Sequence, residues 1–140
     1  MRHREQSSTL ASSLQQSLLN PQNDLDEVVY QRFVDVLGGK ETGLAYELVA
    51  EFLQDVPDQL AILHQALRGN KKAIVFRVLH DLKTSSGAIG AWYLAAVCRE
   101  MDKVAREEGL EAATVRFRQI EKAFERARFV LQCKLAADTS

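Results

Sequence analysis

The spacing of apolar residues constrains this chain more than any other feature. They return at three- and four-residue steps almost from end to end, the period of a helix laid against a core. Leu48, Phe52, Val56, Leu60, Leu63 and Leu67 form one seam, and Leu94, Val97, Cys98, Met101, Val104 and Ala105 another. Ala113, Phe117, Ile120, Phe124, Ala127 and Leu131 make a third. The chain has only two prolines and seven glycines, and most of them fall where a seam stops, as helix-ending signals do. No stretch alternates like a half-buried strand, and no segment repeats. The expected fold is all-α: an antiparallel four-helix bundle with one or two additional N-terminal helices.

Residues 1–22 read as a flexible, polar N-terminus with a short amphipathic helix carrying Leu10, Leu14 and Leu18, ended by Asn20-Pro21. Residues 23–140 form the bundle domain. Asn23 or Asp24 can cap its first helix, whose acidic start (Asp24, Asp26, Glu27) suits the helix dipole. Leu25, Val28, Val29, Val36 and Leu37 supply the stripe of that helix, and Gly38-Gly39 stops it. A longer helix follows from about Thr42 to Leu67, in which Pro57 is expected to bend or divide the run, with Asp55 recapping the second half. The next helix spans Lys71 to about Ile89, with Gly90 at its end, and Gly109 closes the one after it.

Composition narrows the function by exclusion. At 140 residues, 46% hydrophobic and 26% charged, with a net charge of −1, the chain is one ordinary globular domain without a basic field for nucleic acid. The cations of the last helix (Arg116, Arg118, Lys122, Arg126, Arg128, Lys134) alternate with Glu121 and Glu125, the pattern of a solvated face. No apolar run is long enough to span a bilayer and no signal-peptide core is present, so a cytoplasmic location is expected, extending to the nucleus in a eukaryotic cell. Cys98 and Cys133 show no metal spacing. The Glu-x-x-His pairs of a di-iron bundle are missing, because Ala61 and Arg77 stand three residues before His64 and His80. No metal site, phosphate-binding glycine loop or nucleotide motif emerges, and no cofactor is expected.

The chemistry concentrates between Ala73 and Ala91. Taking about 100° per residue with His80 at zero, Ala73, Phe76, Arg77, Lys83, Thr84 and Gly87 share its side of the helix. Ile74, Val75, Val78, Leu79, Leu82, Ser85, Ser86 and Ile89 turn the other way, toward a core. An exposed imidazole beside two cations suits a phosphoryl acceptor: neutral imidazole is a good nucleophile, and the cations favour the charge it acquires. Phe76 is unusual on a polar face. It is either a docking anchor or covered by an N-terminal helix through Leu14 or Leu18. Ser85 and Ser86 point sideways into the bundle, where their hydroxyls are expected to bond to backbone.

His80-x-x-Lys83, followed by Ser85-Ser86 and Ile89-Gly90-Ala91, resembles the signature of histidine-containing phosphotransfer (HPt) domains. The likeness runs helix by helix from near Leu25 to the C-terminus. It implies a carrier rather than an enzyme: His80 is phosphorylated and shuttles the group between receiver-domain aspartates in a multistep phosphorelay. The partners it implies are the receiver domains of hybrid sensor kinases and response regulators, which supply the aspartate and Mg²⁺, with this chain acting as a monomer. Lys83 and Arg77 then stabilise the phosphate, and Phe76, Thr84, Gly87 and Ala73 make the docking face. Thr84 departs from the family, which usually has glycine four residues after the histidine. That departure keeps a second reading open, an HPt-like adaptor that binds receivers or kinases without relaying phosphate.

Overall fold

The computed structural model describes residues 24–139. The expected lead over 1–22, with its Leu10, Leu14 and Leu18 helix, lies outside the described residues. Six helices and no strand occur among those described: α1 (Glu27–Val36), α2 (Leu44–Arg68), α3 (Lys72–Ala88), α4 (Trp92–Glu108), α5 (Leu110–Thr114) and α6 (Phe117–Thr139). The four long ones, α2, α3, α4 and α6, form an antiparallel bundle because the connections between α2, α3 and α4 leave room only for reversals. In it α3 packs between α2 and α4, and α6 closes the ring against the same two helices. Val49, Val56, Leu63, Val75, Leu82, Cys98, Met101, Ile120 and Leu131 are wholly excluded from solvent along the bundle axis. Apart from Cys98, each such side chain contributes about 1.5–3 kcal/mol on burial.

Helix α1 departs from its expected packing. Tyr30 and Val34 are buried, with Phe33 and Leu37 beside them, whereas Val28 and Val36 of the expected stripe are 67% and 78% exposed. The helix thus turns its aromatic side to the bundle, where it rests on α2 and α3. Its cap is Asp26, whose Oδ1 accepts from the backbone N–H groups of Val28 (3.1 Å) and Val29 (3.2 Å), rather than Asn23 or Asp24. Asp24 instead lies buried against α6, its Oδ2 accepting from Arg126 Nε at 2.8 Å. Glu27 to Lys134 (2.6 Å) and Lys40 to Asp138 (3.7 Å) tie the same end to α6.

Two more expectations yield to the structure, and a third, that Pro57 bends or divides its helix, loses one of its alternatives. Helix α2 runs through Pro57 without dividing. The proline is exposed, so water can satisfy the carbonyl it leaves free, while Val56 and Leu60 on either side stay anchored in the core. Leu48 is 37% exposed, and Ala45 and Val49 take the inner position instead. The last seam is two helices, interrupted at Val115 and Arg116. There the Thr114 hydroxyl donates back to the Leu110 carbonyl (2.8 Å) and the Arg116 N–H reaches Ala113 O (2.8 Å), a tight turn favoured by adjacent β-branched residues.

Candidate functional site

Helix α3 buries Val75, Val78, Leu79, Leu82 and Ser86, so it presents the opposite stripe to solvent. Ala73, Arg77, His80, Thr84 and Gly87 are exposed along that stripe, and Phe76 and Lys83 are half-buried at its edge toward α4. All seven residues singled out in the sequence therefore share one face. Neither Arg77 nor Lys83 is in an ion pair among the described residues, so both charges remain available beside the imidazole. A Cβ added at Gly87 would meet nothing within 4 Å, which leaves the face open two turns beyond His80.

The neighbours of the stripe have their own tasks. Arg106 of α4 lies over the Phe76 ring, 4.2 Å from its centroid, while its Nε donates to Asp102 at 2.9 Å. Phe76 is thus roofed on one side by a guanidinium from the next helix. Nothing local in the sequence pairs positions 76 and 106; only the antiparallel register of α3 and α4 does so. Ser85 Oγ donates to the Asp81 carbonyl at 2.9 Å, as expected of a helical hydroxyl. Ser86 Oγ is buried without a hydrogen-bond partner, contrary to the expectation that both serines bond to backbone.

The C-terminal end of α3 is fixed by a close approach. Gly90 has φ +88°, and its carbonyl accepts from the Asp26 N–H at 2.7 Å. A Cβ there would come within 2.7 Å of Asp26 O and 3.1 Å of Tyr30 N, so glycine is required on two counts. The Asp24–Arg126 pair lies nearby, and Arg126 also stands 5.4 Å over the Tyr93 ring. Burial pushes the Asp24 carboxyl above its ordinary value despite the opposing pull of Arg126. At the same end of the bundle burial, reinforced by Asp138, raises the Tyr30 phenol to about 12. In the core, burial alone raises the Cys98 thiol to about 12, which leaves it an inert hydrophobe.

Among the described residues no group of three or more His, Cys, Asp and Glu side chains converges as metal ligands. No helix there is long and apolar enough to cross a membrane.

Comparison with known proteins gives this geometry a context. No curated protein sequence matches the chain. Histidine-containing phosphotransfer protein B of Pseudomonas aeruginosa PAO1 superposes with a TM-score of 0.72 and 26% identity, covering 81% of this chain and 96% of that one. A rice protein assigned as a histidine-containing phosphotransfer protein shares the fold, with a TM-score of 0.69 and 21% identity over 97% of this chain and 93% of its own. Residues 47–129 match the sequence model of the Hpt domain, from the early turns of α2 through most of α6 and with His80 inside the match. An all-helical bundle with a histidine exposed on one inner helix and a family match over more than half its length make this chain a member of the Hpt-domain family.

Proposed function

We propose that His80 carries the phosphoryl group and passes it between receiver-domain aspartates in a multistep phosphorelay. The observation that carries this reading is the exposed imidazole at the centre of the α3 stripe, with Arg77 and Lys83 on either side of it and in no ion pair among the described residues. In the loading step the lone pair of an imidazole nitrogen attacks phosphorus. The P–O bond to the aspartyl carboxyl breaks, and its electron pair leaves with the carboxylate oxygen. Unloading is the reverse, with a second aspartate as the nucleophile. Arg77 and Lys83 stabilise the dianionic phosphoryl group on the ring, and Ala73, Phe76, Thr84 and Gly87 form the contact face. The receiver brings the aspartate and Mg²⁺, so this chain acts as a carrier.

The test is His80→Gln. The variant should lose acid-labile labelling from a phosphorylated receiver while its helical circular dichroism is kept. Labelling at the wild-type level would overturn the assignment. Thr84, exposed one turn beyond His80 where the family usually has glycine, favours a second reading, the adaptor that binds receivers without relaying phosphate. Binding of a receiver by wild-type protein with no phosphohistidine formed would select that reading.

A further inference from the structure

The two flanks of the His80 ridge differ in charge. On the α2 side, Glu51 and Asp55 rim a groove of about 290 Å³ floored by Phe33, Leu48, Phe52 and Ile89. Ser85 and Ala88 form its α3 wall, and they follow His80 by one to two turns, roughly 8–12 Å along the axis. Asp58 shares the outward stripe of α2 with Glu51 and Asp55, and Asp81 of α3 leans to the same side as Ser85 and Ala88. On the α4 side, Arg106 reaches Phe76, which fixes the edge of α4 that borders α3. Arg99 and Lys103 lie seven and three residues before Arg106 and so share that edge, next to Lys83. None of Glu51, Asp55, Asp58, Asp81, Lys83, Arg99 or Lys103 forms an ion pair among the described residues. Each flank also holds one charge of the other sign, Arg77 on the α2 side and Asp102, paired with Arg106, on the α4 side. His80 therefore stands on a boundary between a predominantly acidic flank that contains an apolar groove and a predominantly basic flank.

We infer that this division orients the incoming receiver: the α2–α3 groove takes an apolar side chain flanked by lysine or arginine, while the basic flank faces the acidic rim of the receiver's aspartate pocket. The inference rests on the reading of His80 as the phosphoryl carrier and adds to it the chemistry of the partner surface. Leu48 supports it directly, as a large apolar side chain held half-open in a groove whose rim is negative. Charge complementarity selects the occupant, because an acidic rim repels an apolar segment of like charge and attracts one with basic neighbours. The opposite charge across the ridge penalises the reversed pose, in which both sets of charges would face their own sign. Orientation thus follows from two flanks rather than from the immediate surroundings of the imidazole.

The experiment compares two donors on wild-type protein and on the double variant Glu51→Lys with Asp55→Lys, both positions being exposed. Phosphoramidate is small: its P–N bond breaks as the imidazole attacks, and ammonia leaves, with no docking surface involved. Purified receiver domains of the source organism, phosphorylated with acetyl phosphate, need the whole face. The variant should retain phosphoramidate labelling and lose about tenfold or more in kcat/KM from receivers, chiefly through KM, with a weaker salt dependence than wild type. Leu48→Ala should lower receiver transfer in the same way without flattening the salt dependence. Equal transfer in variant and wild type, or an equal loss with both donors, would overturn the orienting role and leave the relay reading intact. Failure of wild-type His80 to label from either donor would instead sink the relay reading.

Discussion

At the scale of single residues the stripe makes opposed demands on stability and access. Gly87 is helical, and alanine would fit it without contact, so Gly87→Ala should raise stability by up to about 1 kcal/mol. The same methyl narrows the open end of the face and should slow transfer from receivers; melts and transfer rates on one preparation check both. Thr84→Gly should show the reverse, a loss of up to about 1 kcal/mol with faster transfer from non-native receivers. Equal responses from every receiver would show that Thr84 does not select partners. Lys83→Ala should weaken the phosphorylated state by about 1–3 kcal/mol, the scale of a hydrogen bond to a charged group, and leave the fold unchanged. The cysteines give a simpler test. Cys133 is exposed, whereas burial raises Cys98 to about 12, so a thiol reagent at neutral pH should label one site in the native protein and two after unfolding.

Among the elements, α2 and the α3–α4 turn allow the sharpest tests. Pro57 sits inside an unbroken, solvent-facing part of α2, so Pro57→Ala restores a backbone donor and should stabilise the bundle, by at most about 3 kcal/mol. Gly90→Ala should do the opposite, losing about 1–3 kcal/mol through its positive φ and the approach of Asp26. Trp92 lies two residues from that turn, so its fluorescence during denaturant unfolding reports the change. The contrast shows what the sequence made legible. Helix periods and stops for α3 and α4 were plain, because Val75, Leu79, Leu82, Cys98 and Met101 repeat cleanly and Gly90 and Gly109 end them. The stripe of α1 is legible only in part: Leu25 and Leu37 pack on the core as expected, but Tyr30 and Phe33 take the place of Val28 and Val36, and only packing on the bundle end decides between them. The break at Val115 was hidden because Ala113 and Phe117 keep the three- and four-residue step across it.

Over the whole molecule, the candidate site was more legible than its supports. His80, Arg77 and Lys83 lie within a few residues of one another, so helical geometry alone places them on one face. Asp24 and Arg126 are 102 residues apart, and no local pattern announces their contact. That contact has a pH signature. Because burial holds the Asp24 carboxyl above its ordinary value, the native state keeps its proton to higher pH than the unfolded chain does. The resulting contribution to stability is complete below the ordinary carboxylate range and is lost as pH rises through the raised value. Asp24→Asn removes this dependence, so the variant's melting temperature should gain on wild type between acid and neutral pH; a constant difference would show that burial does not govern the carboxyl. Among the described residues the ridge presents a single histidine between its two charged flanks. On the proposed reading, a source of phosphate and its recipient share one parking place and take turns. The relay would then run as a ping-pong exchange, and a surplus of either partner in its spent form would jam the traffic of the other.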